Sequence, residues 1–345
     1  MKDNISKRKV CFFSKSGKEQ ILREQYSIQD INILEELGYE VIIATKFSEI
    51  PWNCSFYFSW WASGSILPFI VALITRKPII VVAGGNEAML YKDSVSGKPK
   101  GYLATGFIKK IAVKTTLKFS NIVIVVSDFM KKDVLKLGAR KVIKVYNSVN
   151  TDKFIPNNLD REEITTIFRF DRDVVELKRG MILIKAIPLV IKQFPNQIFT
   201  FIGGYGDALE EMKTLAKNLK VENNIRFINE IPNEEIVFWM QKSKIYVQIS
   251  DTETFGVAVA EAMSCETPVL ISKRGALPEL VGNLGFYANH NNYQDVSKKL
   301  IKMLEMSTKE KKDLGHKLRK RILENFTFPH RKNEIEKIIN EIAVK

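Results

Sequence analysis

Glu253 and Glu261 are separated by seven residues in "ETFGVAVAEAM", residues 253–263. The run between them is largely apolar, and an ionised carboxylate is costly to bury among apolar side chains. A bare carboxylate accepts hydrogen bonds and donates none, so ligand hydroxyls are its natural partners. "KIYVQIS" (244–250) reads as a strand and "GVAVAEAMS" as a helix near 256–265. "DTETFG" is then the loop at a strand's carboxyl end. Phe255 and Gly256 lead into the helix and Val257 opens it, so free backbone N–H groups there suit an anion such as phosphate. Glu261 lies about one and a half turns into the helix, and Glu253 precedes it. The two acids can address different parts of one elongated ligand, and a sugar at one end with a ribose at the other fits. The competing reading is an ordinary amphipathic helix with one solvated glutamate.

The elements that position this loop alternate along the chain. Apolar, β-branched runs at 9–14, 40–45, 55–60, 78–84, 121–127 and 141–147 predict buried strands of a parallel sheet covered on both faces. Helical stretches fall near 18–37, 64–75, 102–119 and 128–138. The polar segment "NSVNTDKFIPNNLDREE" then reads as a linker. Beyond it, strands at 164–170, 198–204, 224–228, 244–250 and 268–272 alternate with helices near 180–194, 207–219, 233–242 and 256–265. The pattern predicts an α/β chain of two doubly wound, Rossmann-like domains, 1–150 and 151–325. A final helix, 326–345, is expected to pack back on the first domain. Ligands of such sheets sit beyond the carboxyl ends of the strands, so a central cleft between the domains is expected.

Bulk properties narrow the class. A chain of 345 residues, 45% hydrophobic, suits two ordinary folded domains. Cys11, Cys54 and Cys265 form no CxxC pair, which argues against a disulfide framework or zinc site and for a reducing cytoplasm. The longest apolar run, "ILPFIVALIT" (66–75), is short of the about 20 residues that span a bilayer. The net charge of +14 is uneven. Residues 1–150 hold 23 Lys and Arg against 12 Asp and Glu, a balance of +11, and the remainder holds 30 against 27, a balance of +3. Such asymmetry points to an acidic partner for the first half.

"ETFGVAVAEAMSCETPVLISKRGALPELVG" (253–282) resembles the signature of the retaining glycosyltransferases of family 4, which have the GT-B fold. "VSDFMKKDVLKLGARKVIKVYNSVNTDKFIP" (126–156) resembles that family's interdomain crossing. "FIGGYGDALEEMKTLAKNL" (201–219) resembles its Gly-rich turn, and 227–250 the stretch bordering the nucleotide base. The resemblance implies a nucleoside diphosphate sugar as donor substrate, with no further cofactor and no metal. It implies that Glu253 holds donor-sugar hydroxyls and Glu261 the ribose. It implies that the backbone of Phe255, Gly256 and Val257 approaches sugar and phosphate. Gly204 and Ile231 fall in the donor-binding stretches. For the leaving diphosphate the family has an Arg at a strand end and a Lys before a Gly. Arg169 fits the first, and either Lys178 or Arg179 fits the second. "DRD" (171–173) looks like a metal-binding Asp-x-Asp but is read as a solvated acidic loop. Glu266 replaces a usual Gly of the family, at a cost of about 1 kcal/mol if the backbone there is left-handed, and Ala276 replaces another.

In the first domain the resemblance implies Gly17, flanked by Lys15 and Lys18, as a phosphate contact, and Gly85, Asn86 and Glu87 as the acceptor side. The expected acceptor is a growing surface glycan or a lipid-linked glycan. Lys110, Lys114 and Lys118 share one helix face, and Lys132, Lys136 and Arg140 repeat the spacing. Trp60 and Trp61 are expected as exposed aromatics beside them. An anionic membrane surface, reached from the cytoplasm, is the partner this basic face suits; plain solvation is the alternative. Two other readings remain: a nucleotide-sugar epimerase on the same fold, and a nucleic-acid-binding protein. The latter lacks any recognisable nucleic-acid-binding motif, so no nucleic-acid partner is expected.

Overall fold

Five-residue runs such as "IIVVA" are apolar at every position, so neither face of the strand tolerates water. A computed structural model of the chain, which describes residues 8–229 and 231–343, places them accordingly. The chain divides into two compact units, one made of residues 1–148 with 328–345 and the other of residues 149–327.

The first unit is built on β1 (Lys9–Phe13), β2 (Glu40–Ala44), β3 (Phe56–Trp60), β4 (Ile79–Ala83), a short hairpin of β5 (Leu90–Lys92) and β6 (Pro99–Gly101), β7 (Ile122–Val125) and β8 (Val142–Lys144). Its six-stranded sheet runs β2-β1-β3-β4-β7-β8, all parallel. β3 and β4 are buried at every position. The connecting helices are α1 (Lys18–Ile21), α2 (Gln25–Glu36), α3 (Ile66–Thr75), α4 (Phe107–Phe119) and α5 (Asp128–Lys136). The helix expected over 18–37 is thus two helices. The chain turns at Leu22–Glu24, where the N–H groups of Arg23 and Glu24 both reach back to the carbonyl of Gln20. Sequence periodicity also missed the hairpin, whose strands are three residues each.

The second unit holds β9 (Glu163–Ile167), α6 (Arg172–Lys178), α7 (Gly180–Ile191), β10 (Phe199–Gly203), α8 (Leu209–Asn218), β11 (Ile225–Asn229), α9 (Asn233–Lys242), β12 (Ser243–Gln248), α10 (Val257–Ser264), β13 (Val269–Ser272), α11 (Leu277–Val281), β14 (Phe286–Ala288), α12 (Tyr293–Glu305) and α13 (Thr308–Asn325). Its parallel sheet runs β11-β10-β9-β12-β13-β14. The strand order reverses between β9 and β12, where the carboxyl ends open a crevice. The acidic loop expected at 171–173 is instead the start of α6. Asp171 precedes the helix and Asp173 sits in its first turn, where acids complement the helix dipole.

The last helix, α14 (Phe328–Ala343), belongs to the first unit and packs on α2. Arg331 on α14 is buried and donates to Asp30 of α2 at 2.6 and 2.8 Å and to the carbonyl of Tyr146 at 2.7 Å. Trp60 also gives its indole N–H to Asp30, at 2.9 Å. Trp60 is therefore a buried strut, not the exposed aromatic expected from the sequence.

Candidate functional site

The loop between β12 and α10 is held by backbone contacts on three sides. Asp251 N–H donates to the Leu177 carbonyl at the end of α6, at 2.8 Å. Ser272 Oγ donates to the Ser250 carbonyl at 2.6 Å. Ala276 N–H donates to the Glu253 carbonyl at 2.9 Å. Gly275, at φ +58°, lies so close that a Cβ there would stand 2.3 Å from Glu253 N. Gly256 takes φ +99° as it enters α10, a conformation that favours glycine. Phe255 is buried and meets Phe326 edge-on at 5.7 Å. Val257 opens α10.

The Glu253 carboxylate is mostly shielded and is met by three donors. Its Oε1 accepts from Ser250 Oγ at 2.7 Å, from Gln248 Nε2 at 2.8 Å, and from Lys178 Nζ. Gln248 and Ser250 are two apart on one strand end, so they face the same side. Lys178, the last residue of α6, therefore stands at the site beside Glu253. Arg179 does not share that position. It is buried at φ +56° between α6 and α7, and its Nη2 lies 3.3 Å from Asp251 Oδ2. Asp251, at 1% exposure, also meets His290 Nε2 at 3.0 Å and Arg274 Nη2 at 3.5 Å. Arg274 Nε adds a bond to the Asp251 carbonyl at 2.9 Å. Asp251, Arg274 and His290 were missed by sequence reasoning, and they join the loop to β13 and β14. The only visible signal was the second acid in "DTE".

Arg169 projects into solvent at 73% exposure, with its Nε 3.0 Å from Asp171 Oδ2. Glu261 lies buried in α10. Burial pushes its carboxyl up to about 8, opposed by the positive charge of Lys153. Such a group is protonated at neutral pH until a partner for the ionised form arrives. Gly204 follows β10 in open space, whereas a Cβ on Gly203 would stand 2.0 Å from the Phe168 carbonyl oxygen, and one on Gly206 2.1 Å from Phe170 C. Steric necessity therefore falls on Gly203 and Gly206 rather than Gly204. Ile231 is half-buried between β11 and α9. Glu266 does take φ +60°, and pairs with His316 at 2.8 Å, while Ala276 is in ordinary helical space.

In the first unit, Gly84 and Gly85 follow β4. A Cβ on Gly84 would stand 2.5 Å from the Trp60 ring, and one on Gly85 2.5 Å from the Trp61 ring and 2.4 Å from Glu87 Oε2. Asn86 and Glu87 begin a short turn. Glu87 accepts the Ala62 N–H at 3.1 Å. Burial raises its carboxyl above the usual range, against the pull of that N–H and of Lys109. Gly17 precedes α1 with nothing near it that a Cβ would meet.

Residues 151–321, the frame of this site, match the family described as "Glycosyl transferases group 1". The chain is 27% identical over 173 residues to the D-inositol 3-phosphate glycosyltransferase of Corynebacterium jeikeium, covering 45% of this chain and 41% of that protein. It is 23% identical over 294 residues to N-acetyl-alpha-D-glucosaminyl L-malate synthase of Bacillus anthracis, covering 75% and 76%. The chain thus spans about half the length of several curated relatives and three quarters of others. Its fold is shared with Anabaena HepE, solved in complex with UDP and glucose, at a TM-score of 0.76, 17% identity, and 97% and 100% coverage of the two chains. That likeness establishes the GT-B fold, two Rossmann-like units each with a parallel sheet.

Proposed function

Starting from a second unit whose residues 151–321 match the glycosyl transferases group 1 family, we propose that the chain moves a sugar from a nucleoside diphosphate sugar to an acceptor hydroxyl, with retention of anomeric configuration and without a metal. The observation that carries the reading is the pairing of Glu253 with Lys178 on a loop locked from three sides, with the buried Glu261 seven residues on. The complexes of HepE with UDP and with UDP-glucose support a donor of this kind.

Each residue then has a task. Glu253 accepts hydrogen bonds from sugar hydroxyls, which compete with Ser250 and Gln248 for the same oxygen. Glu261 ionises to accept the ribose hydroxyls. Lys178, released from Glu253, turns to the departing phosphate and stabilises the charge that develops there, with Arg169 free to swing in from solvent. Arg179 stays with Asp251 and keeps the loop in place. The acceptor oxygen attacks the anomeric carbon on the face the diphosphate leaves, and its proton passes to the leaving phosphate. Glu87, Asn86 and Gly85 receive the acceptor, a glycan or lipid-linked glycan.

The test is a thermal-shift screen of nucleoside diphosphate sugars, then NMR of the product formed with the stabilising donor. Retention and activity in EDTA are expected. An inverted product, or an absolute need for manganese or magnesium, contradicts the scheme. Conversion of the donor without any acceptor favours an epimerase.

A further inference from the structure

The two faces of the first unit's sheet differ in kind. The crossovers through α3, α4 and α5 all move in the same direction along the sheet, so right-handed connections place these helices on one face. α2 and α14 cover the other. The sequence has no Asp or Glu from Ile50 to Asn86, and none from Ser94 to Ser127. α3 and α4, which pack side by side, therefore carry no acid at all.

The same two helices leave large apolar side chains in solvent. Phe107 is 77% and Ile108 83% exposed, and Ile111 follows one turn on. On α3, Ile70, Leu73 and Ile74 are exposed at helical spacing. Exposed single hydrophobics are ordinary, but six on two adjacent helices form a patch. Exposed Lys114 and Lys118 continue the Phe107 and Ile111 face along α4, exposed Lys109 stands in its first turn, and Arg76 and Lys77 close the end of α3. Lys110 is drawn inward, donating to the Leu103 carbonyl at 3.1 Å. Among the described residues no helix is long and apolar enough to cross a membrane. An apolar strip with a basic border is the pattern of a helix that lies in the bilayer interface.

We propose that α3 and α4 form a docking face for an anionic lipid bilayer, with Phe107, Ile108 and Ile111 entering the interface and the α4 lysines meeting lipid phosphates. The charge pattern decides against other occupants. A second copy would bring the same acid-free face and repel it. A nucleic acid would satisfy the lysines but leave the exposed isoleucines in water. α4 starts at the carboxyl edge of the sheet, the edge that carries Gly85 and Glu87, and Lys109 is close enough to act on the Glu87 carboxyl. Docking here brings that edge to the membrane surface, where a lipid-linked acceptor would lie. The docking itself does not depend on the transfer reaction.

The experiment is co-sedimentation of the full chain with phosphatidylcholine vesicles and with vesicles containing phosphatidylglycerol. Binding should need the anionic lipid and fall, though not vanish, as salt rises. Lys109→Glu with Lys114→Glu and Lys118→Glu should weaken it roughly hundredfold or more, at about fivefold per charge. Phe107→Ser with Ile108→Ser should remove the salt-resistant part. In Ile108→Trp, brominated acyl chains should quench the new indole. Lys298→Glu with Lys299→Glu and Lys302→Glu, on α12, should bind as the wild type does. No binding at low salt overturns the proposal, as does an unquenched Ile108→Trp. Tighter binding to an oligonucleotide than to vesicles overturns it. So does a wild-type dimer that the Phe107 and Ile108 changes dissociate while vesicles go unbound.

Discussion

Asp30 in the first unit and Asp251 in the second are both carboxylates almost without solvent contact, yet they are held differently. Asp30 has one cation, Arg331, and one indole N–H. Asp251 is faced by Arg179, Arg274 and His290, from three separate segments. A charge compensated by several partners tolerates the loss of one better than a charge with a single counterion. The first arrangement fastens a terminal helix to a sheet. The second distributes its hold over the loop between β12 and α10.

That contrast can be broken by paired variants. Arg331→Met should lower stability by about 3–5 kcal/mol, because it leaves Asp30 buried without its cation. Arg179→Met should cost less, since two partners remain. Thermal unfolding of the two variants side by side is the check, and equal losses would show that the extra partners of Asp251 contribute nothing. Lys178→Ala should do the reverse of both. It should leave the unfolding temperature near wild type and depress kcat by roughly a hundredfold to a thousandfold, as loss of a cation facing developing charge does. A Lys178→Ala enzyme of normal kcat, with an inactive but folded Arg179 variant, would exchange the roles given to the two residues.

The pH dependence comes next in size. Burial keeps Glu261 protonated in the free protein up to about pH 8. In the proposed scheme the ribose hydroxyls bind the ionised form, so nucleotide binding would release a proton. Affinity should then rise with pH, by up to about tenfold per unit below 8, and level off above it. Calorimetry across pH 6.5–9 should show this slope in the wild type and a flatter one in Glu261→Gln. Smallest is Glu266→Gly. Relief of the left-handed backbone should stabilise by about 1 kcal/mol, less whatever the exposed contact with His316 contributes. A loss of stability on chemical denaturation would mean that this contact outweighs the strain.

The two units were not equally legible. In the second, "ETFGVAVAEAM" draws attention because carboxylates in an apolar run demand a reason, and the neighbouring strands carry buried apolar residues at their centres. What stayed hidden was the support. His290 and Arg274 reach Asp251 only through the parallel pairing of β12, β13 and β14, and no local pattern encodes such a meeting. α6 was hidden for another reason: a seven-residue helix with acids at its start has the composition of a loop. In the first unit the chemistry of Gly84 and Gly85 is steric. The indoles that crowd them come from Trp60 at the end of β3 and Trp61 just after it, twenty-odd residues earlier, so the glycines read as a plain turn. Lysine spacing on α4 was visible at once, but the outward turn of Phe107 and Ile108 was not, because sequence does not tell which apolar residues a helix leaves uncovered.

The division of labour between Glu253 and Glu261 is the central claim, and calorimetric titration tests it most directly. The nucleoside diphosphate of the donor found by screening would be titrated into wild type, Glu253→Ala and Glu261→Ala. Glu261→Ala should bind it markedly more weakly, since its ribose contacts are gone. Glu253→Ala should bind it as the wild type does, while turning over the sugar donor far more slowly. Equal loss of affinity in both variants, or a loss confined to Glu253→Ala, would contradict the assignment of sugar to one acid and ribose to the other.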